Sequence, residues 1–280
     1  MKPLHCFTTA MLDETGRNAN LDRLVASLRD ARGEGGPISL YLLLQNAKGE
    51  VGHDLSDPFI ALDAAPEKMS LSKARNRLLA QHLAAVDDED IVAFPDDDAW
   101  YPPGFVAHLR ALFEERPTLD FYFCHYASEP DAAQSSRSVE PDVGQVLRFA
   151  SSNTIFARGG AVRAVGGFDE DLGVGAPLGG GEDTDFALRL RAASREVLGA
   201  QQCLVGHRDR QNEHRSRYYR GSLAAISRNT NREASLYFQL ARKIGVGGFY
   251  VLKGEHSLKT WVATTAEALK APRAKAPDAE

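Results

Sequence analysis

Short apolar runs of strand length alternate along this chain with segments whose apolar residues recur at helical spacing. That alternation restricts the available folds more than any other feature. Leu4 to Ala10 and Ile38 to Leu44 read as strands, and between them Leu21, Leu24, Val25 and Leu28 fall on one helical face. Pro58 to Leu62 reads as a third strand. Ser70 or Ser72 can cap a helix carrying Ala74, Leu78, Leu79 and Leu83, and Ile91 to Phe94 is the next strand. Pro102-Pro103 opens a helix through Val106, Leu109, Leu112 and Phe113, since proline suits a first turn, and Leu119 to Tyr126 returns to strand. The economical solution is an α/β fold with a mixed, mostly parallel sheet flanked by helices. Such a sheet binds ligands beyond the carboxyl ends of its strands.

Farther along, 127–138 reads as a surface loop, and Val143 to Phe149 and Ser152 to Ala157 as two short strands. Gly173 to Gly181, with five glycines in nine residues, reads as a mobile loop, and Glu182 to Arg195 as a helix. From Tyr218 a helical pattern runs through Leu223, Ile226, Leu236, Phe238 and Leu240, is followed by Gly245 to Gly248, and resumes as a second helical stretch. The expected organisation is an α/β domain over 1–215, a helical C-terminal extension over 216–270 and a disordered tail over 271–280.

A chain of 280 residues, 43% hydrophobic and 25% charged with a net charge of −5, is long enough for one large core. Its charge gives no overall attraction to nucleic acid or to a membrane. Cys6, Cys124 and Cys203 are odd in number and widely spaced, which fits reduced thiols rather than a disulfide framework. No secretory leader and no run of about 20 apolar residues is visible, so a cytoplasmic setting is expected. Peripheral contact with the inner membrane face stays open.

Asp96-Asp97-Asp98 follow the strand Ile91 to Phe94 directly. Three carboxylates this close repel unless water or a hard divalent cation neutralises them, so the triplet is either a solvated acidic turn or a metal site. A second acidic cluster, Gly181-Glu182-Asp183-Thr184-Asp185, runs from the glycine-rich loop into a helix. Acids in a first turn favour the macrodipole, and Asp185 can pair with Arg189 at i, i+4, which is a purely structural alternative. Together, however, the two clusters supply the parts a transfer reaction needs: a metal for a phosphate leaving group and a separate carboxylate base.

Four blocks in this order resemble the family 2 glycosyltransferases of the GT-A fold: Leu71-Ser72-Lys73-Ala74-Arg75-Asn76, Phe94-Pro95-Asp96-Asp97-Asp98, Val165-Gly166-Gly167-Phe168-Asp169-Glu170 and Gly181-Glu182-Asp183-Thr184-Asp185-Phe186. The resemblance covers roughly residues 4–210. Two positions depart from it: Pro95 stands where an aliphatic residue is usual, and Gln45-Asn46 follow the second strand where an acid is usual. The resemblance implies that Asp96 and Asp98 form a D-x-D pair, with Asp96 toward the ribose or metal and Asp98 a direct ligand of Mn²⁺ or Mg²⁺. Asp97 is the spacer beside the nucleotide sugar. Asp183 is implied as the base that deprotonates a hydroxyl acceptor, and Glu182 as the group that positions that acceptor. Thr8, Arg75 and Asn76 are implied contacts to the nucleotide sugar, although Arg75 and Asn76 can equally be ordinary polar residues of a helix.

His207, after Leu204-Val205, is implied as a further metal or diphosphate contact, with His214 the competing candidate. The arginines between 208 and 220 read as a loop closing over a charged donor, the alternative being a nucleic-acid or anionic-lipid patch. Trp100 and Tyr101 are either sugar-stacking or core aromatics. The implied activity is metal-dependent, inverting transfer of a sugar from a nucleotide diphosphate sugar to a glycan, lipid-linked or other hydroxyl acceptor, without nucleic acid. Two other readings compete. A nucleotidyltransferase needs a glycine-rich phosphate loop after the first strand, where Thr8-Thr9-Ala10-Met11-Leu12-Asp13 offers none. An inactive nucleotide-sugar or glycan-binding module is disfavoured by the presence of both Asp98 and Asp183.

Overall fold

The computed structural model describes residues 2–49, 51–131, 137–209 and 218–270. The expected strand and helix alternation is present: β1 (Leu4–Met11), α1 (Leu21–Gly33), β2 (Ile38–Gln45), β3 (Ile60–Ala65), α2 (Leu71–His82), β4 (Ile91–Ala93), α3 (Phe105–Glu115) and β5 (Leu119–Ala127). Next come β6 (Ser138–Val139), α4 (Val143–Phe149), β7 (Ile155–Arg158), α5 (Gly159–Val165), α6 (Glu182–Ala193) and β8 (Glu196–Gly206). Three helices close the described chain: α7 (Tyr219–Asn229), α8 (Ser235–Leu252) and α9 (Leu258–Lys270).

The strands form one eight-stranded sheet in the order β3-β2-β1-β4-β7-β5-β8-β6. β3, β2, β1 and β4 are mutually parallel, as are β5 and β8, whereas β7 runs antiparallel to both its neighbours and β6 antiparallel to β8. Apolar side chains cover both faces. On one, Leu24, Val25 and Leu28 of α1 meet Phe105, Leu109 and Phe113 of α3; on the other, Ala74 and Leu78 of α2 meet Val162 of α5 and Phe186 and Leu190 of α6. Parallel strands buried on both faces need such continuous apolar runs, which is why β2 reads Ile-Ser-Leu-Tyr-Leu-Leu-Leu. Cys6, Cys124 and Cys203 are free thiols in β1, β5 and β8.

Three sequence expectations are corrected. Val143–Phe149 is a helix, not a strand, because Asp142 and Gln145 form a reciprocal capping box at its start. Ser152–Thr154 form a 3₁₀ turn, and only Ile155–Arg158 pair as β7. Gly245 to Gly248 do not interrupt the C-terminal helices, since α8 runs through them. A Cβ on Gly247 would lie 2.2 Å from the Tyr219 hydroxyl and 2.6 Å from Trp261 Cδ1, so this glycine admits two aromatic side chains instead of breaking the helix. Ser70 caps α2 as expected, accepting from the Lys73 N–H at 3.5 Å. The expected tail and His214 lie outside the described residues. Among those described, no helix is long and apolar enough to cross a membrane.

Candidate active site

Topology brings the acidic clusters together. β4 ends at Ala93, so Asp96 lies just beyond its carboxyl end. Because β7 is antiparallel, its amino end lies beside that carboxyl end. Ala93 pairs with Phe156, and continuing the register sets Asn153 opposite Asp96. The side chains agree: the Asp96 N–H donates to Asn153 Oδ1 at 2.6 Å, and Asn153 Nδ2 donates to Asp96 Oδ2 at 3.0 Å.

On the other side, Trp100 forms an antiparallel bridge with Gly206 at the end of β8, through two reciprocal 2.9 Å hydrogen bonds. Only glycine fits there, as a Cβ on Gly206 would lie 1.9 Å from Trp100 Cε2. The bridge sets the residues after β8 against Asp98. His207 Nε2 is 2.9 Å from Asp98 Oδ1 and Arg208 Nε is 3.2 Å from Oδ2. His207 Nδ1 lies 2.8 Å from the Arg208 carbonyl, a contact that places a proton on Nδ1 and directs Nε2 toward the carboxylate.

Arg75 joins these residues to the second cluster. Its guanidinium is buried beneath the site; Nη2 donates to Asp96 Oδ1 at 2.9 Å and Nη1 to Asp183 Oδ1 at 3.0 Å. The other Asp183 oxygen accepts the Ser152 backbone N–H at 2.9 Å. Below, Phe94, Phe168 and Phe186, one from each of three sequence blocks, form an aromatic floor with ring centroids 4.3 to 5.2 Å apart. Arg75 stands over Phe168 at 5.0 Å.

Burial and charge perturb this cluster. Burial raises Asp96, offset in part by Arg75 and reinforced by Asp183 and Asp98. Burial, with Asp96 and Asp98 beside it, pushes Asp97 up to about 6. For Asp98 burial acts upward, but the hydrogen bond and charge of His207 and the charge of Arg208 outweigh it and hold the carboxyl low. Burial likewise opposes the His207 charge, and Asp98 overcomes it, leaving His207 raised. Glu182 is pushed up to about 7, by burial first and by Asp183 second.

Asp96, Asp98 and His207 each present a ligand atom within 4.8 Å of one another, a set of two hard carboxylate oxygens and one imidazole nitrogen. That donor set can hold a divalent cation, and the Nδ1 contact of His207 is the outer support a ligating imidazole needs.

Other named residues fall around this centre rather than in it. Thr8 is fully buried in β1, and its hydroxyl has no hydrogen-bond partner among the described residues. Asn76 turns to the Val165–Glu170 block: its Nδ2 donates to the Phe168 carbonyl at 2.9 Å, and its Oδ1 accepts the Phe168 N–H at 2.7 Å. Asp97 accepts from Asn18 Nδ2 at 2.5 Å, tying the triplet to the loop after β1. Asp185 is structural, bound to Arg189 Nε at 2.8 Å, as expected from the i, i+4 spacing, and to Asn229 Nδ2 of α7 at 2.7 Å. Tyr101 is core, whereas Trp100 is half-buried under Arg23, whose Cζ is 3.1 Å from the indole centroid. Ser152 and Asn153 went unrecognised in the sequence; the only signal was the polar run Ser151-Ser152-Asn153-Thr154 at the start of an apolar strand.

No protein-family model matches the chain, and no curated protein matches it by sequence. Solved structures do. S. aureus TarS 1–349 in complex with UDP-GlcNAc superposes with a TM-score of 0.66 at 13% identity, covering 96% of this chain and 82% of that one. The complex of the same fragment with UDP gives 0.64 at 13% identity over 96% and 81%. A longer TarS structure gives 0.58 at 12% identity, and there the match spans 87% of this chain but only 43% of TarS. With its mixed eight-stranded sheet flanked by helices, the chain has the GT-A glycosyltransferase fold.

Proposed function

We propose that this protein is a metal-dependent, inverting glycosyltransferase that moves a sugar from a nucleotide diphosphate sugar to a hydroxyl acceptor. The observation that carries the reading is the Arg75 bridge, which joins a carboxylate of the metal-type donor set, Asp96, to a second carboxylate, Asp183, at the carboxyl end of the sheet. TarS structures hold UDP and UDP-GlcNAc on this fold, so uridine diphosphate sugars are the first donors to assay. The acceptor class stays as broad as the sequence leaves it: a glycan, a lipid-linked sugar or another hydroxyl. A cytoplasmic setting suits the three free thiols.

Asp98, Asp96 and His207 would hold Mn²⁺ or Mg²⁺, which when bound neutralises charge on the departing nucleoside diphosphate. Asp183 accepts the proton of the acceptor hydroxyl while that oxygen attacks the anomeric carbon and the bond to the diphosphate breaks. A single displacement of this kind inverts the configuration. The Ser152 N–H and Arg75 aim the Asp183 carboxylate. Glu182, which keeps its proton up to about pH 7, can donate a hydrogen bond that orients the acceptor. Thr8, Arg75, Asn76 and Asp97 shape the nucleotide pocket from beneath, Asn76 by fixing the Phe168 loop and Asp97 by fixing the loop after β1.

Calorimetry with UDP-sugars and Mn²⁺, run beside a transfer assay, tests the division of labour. Asp98→Ala should lose metal-dependent donor binding. Asp183→Asn should bind donor normally and lose about 10²-fold or more of transfer, the scale of a positioned proton acceptor. Full transfer by Asp183→Asn sinks the mechanism.

A further inference from the structure

The helical extension carries apolar surface that the fold leaves uncovered. α8 buries Leu236, Leu240 and Gly247 toward the protein. Its outer side presents Tyr237, Phe238, Phe249 and Leu252, all at least half exposed, with Phe238 at 69% and Leu252 at 86%. At about 100° per residue these four fall within an arc of roughly 120°. The other residues on that arc, Ala241, Gly245 and Gly248, are small and uncharged. α9 repeats the arrangement with Leu258, Val262 and Leu269, each more than half exposed and spaced for one helical stripe.

Cations border both stripes: Arg242 and Lys253 on α8 and its end, Lys259 and Lys270 on α9. Between residues 235 and 270 there are five Lys and Arg against two acids, in a chain whose net charge is −5. One of the two acids, Glu267, is already paired with Arg220 at 2.6 Å. Two occupants suit an apolar stripe of this kind, a second copy of the chain or a lipid surface. A second copy would set cations against cations, whereas an anionic bilayer supplies both the apolar interior and the opposite charge.

We infer that α8 and α9 form a docking surface for anionic phospholipid membranes, lying in the interface with Phe238, Phe249 and Leu252 inserted and the Lys and Arg side chains at the headgroups. The inference is independent of the donor chemistry. The whole chain should float with vesicles of phosphatidylcholine and phosphatidylglycerol and stay behind with phosphatidylcholine alone. Phe238→Ser with Leu252→Ser should abolish flotation. Lys253→Glu with Lys259→Glu should weaken it by about thirtyfold or more, given roughly 1 kcal/mol per cation near such a surface. Leu62→Ser, at an exposed apolar residue of edge strand β3, should change nothing. All these positions are exposed, and thermal unfolding checks that each variant folds. Flotation indifferent to lipid charge, no flotation, or a concentration-dependent dimer in sedimentation that Phe238→Ser dissolves would each overturn the proposal, the last in favour of a second copy.

Discussion

Arg75 is the residue on which the site turns. A buried guanidinium is costly unless compensated, and here Asp183, Asp96 and Glu182 more than offset the burial that would lower its pKa. One planar fork reaches two carboxylates that the chain separates by 87 residues, a geometry a single ammonium cannot reproduce. Arg75→Met should therefore destabilise the protein by about 3–5 kcal/mol, since it strands buried charge, and Arg75→Lys by clearly less. Urea unfolding measures both, and an Arg75→Met protein as stable as the parent contradicts the bridge. Glu182 carries a pH signature. Its carboxyl moves from 4.5 to about 7, so the folded protein holds this proton when the unfolded chain has lost it. The contribution is fully present below about 4.5 and is lost as pH rises toward about 7. Glu182→Gln cannot ionise, so its melting temperature should gain on the parent as pH is raised through that window. A constant difference between the two would show that Glu182 titrates normally, even with Asp183, Arg75 and Asp96 acting on it.

At the scale of elements, legibility followed the range of the interaction. β1, β2, α1, α2 and α3 could be read because apolar period and local caps are neighbouring-residue effects. Asp96, Asp98, Asp183, Glu182 and His207 could be put forward as candidates from residue type and order, and the fold gathers Asp96, Asp98, His207 and Asp183 at one end of the sheet. Their partners could not. Asn153 reaches Asp96 only because β7 inserts antiparallel between β4 and β5, and strand insertion leaves no mark in local sequence. Arg75 could be named but not given its partners, because α2 meets α6 through the fold rather than along the chain. α4 is a different failure. Its Val143, Val146 and Leu147 fit a helix, and the Asp142 and Gln145 spacing announces a capping box, but seven residues are too few for period to decide. Gly245 to Gly248 are the opposite case: clustered glycines ordinarily signal a helix end, but Gly247 stays within α8 and admits Tyr219 and Trp261.

Across the whole molecule, the C-terminal helices are braced against α6, the helix that carries Glu182 and Asp183, rather than hung from it. Asn229 of α7 bonds Asp185 of α6, Arg228 pairs with Asp169 and Asp171, and Tyr219, Leu223 and Ile226 share an apolar cluster with Val143 and Leu188. The closest approach is backbone on backbone. Gly181, at φ +87°, precedes Glu182, and a Cβ there would lie 2.4 Å from the Gly221 carbonyl; a Cβ on Gly221 would lie 1.9 Å from the Gly180 carbonyl. Neither carbonyl can swing aside as a flexible side chain would, so an added methyl must push α7 away from the loop that aims Glu182 and Asp183. Gly221→Ala should therefore lower stability by about 1–3 kcal/mol, the usual cost of overpacking, and reduce transfer at saturating donor. Gly245→Ala is the matched comparison, because nothing lies within 4 Å of its Cβ and it sits inside α8. That change should raise stability by about 0.5–1 kcal/mol through helix propensity alone and leave transfer untouched. The sign of the difference between two glycine-to-alanine changes in adjacent helices then reports the contact itself. If both substitutions stabilise, the extension is not seated against the Gly180-Gly181 loop, and the coupling between them fails.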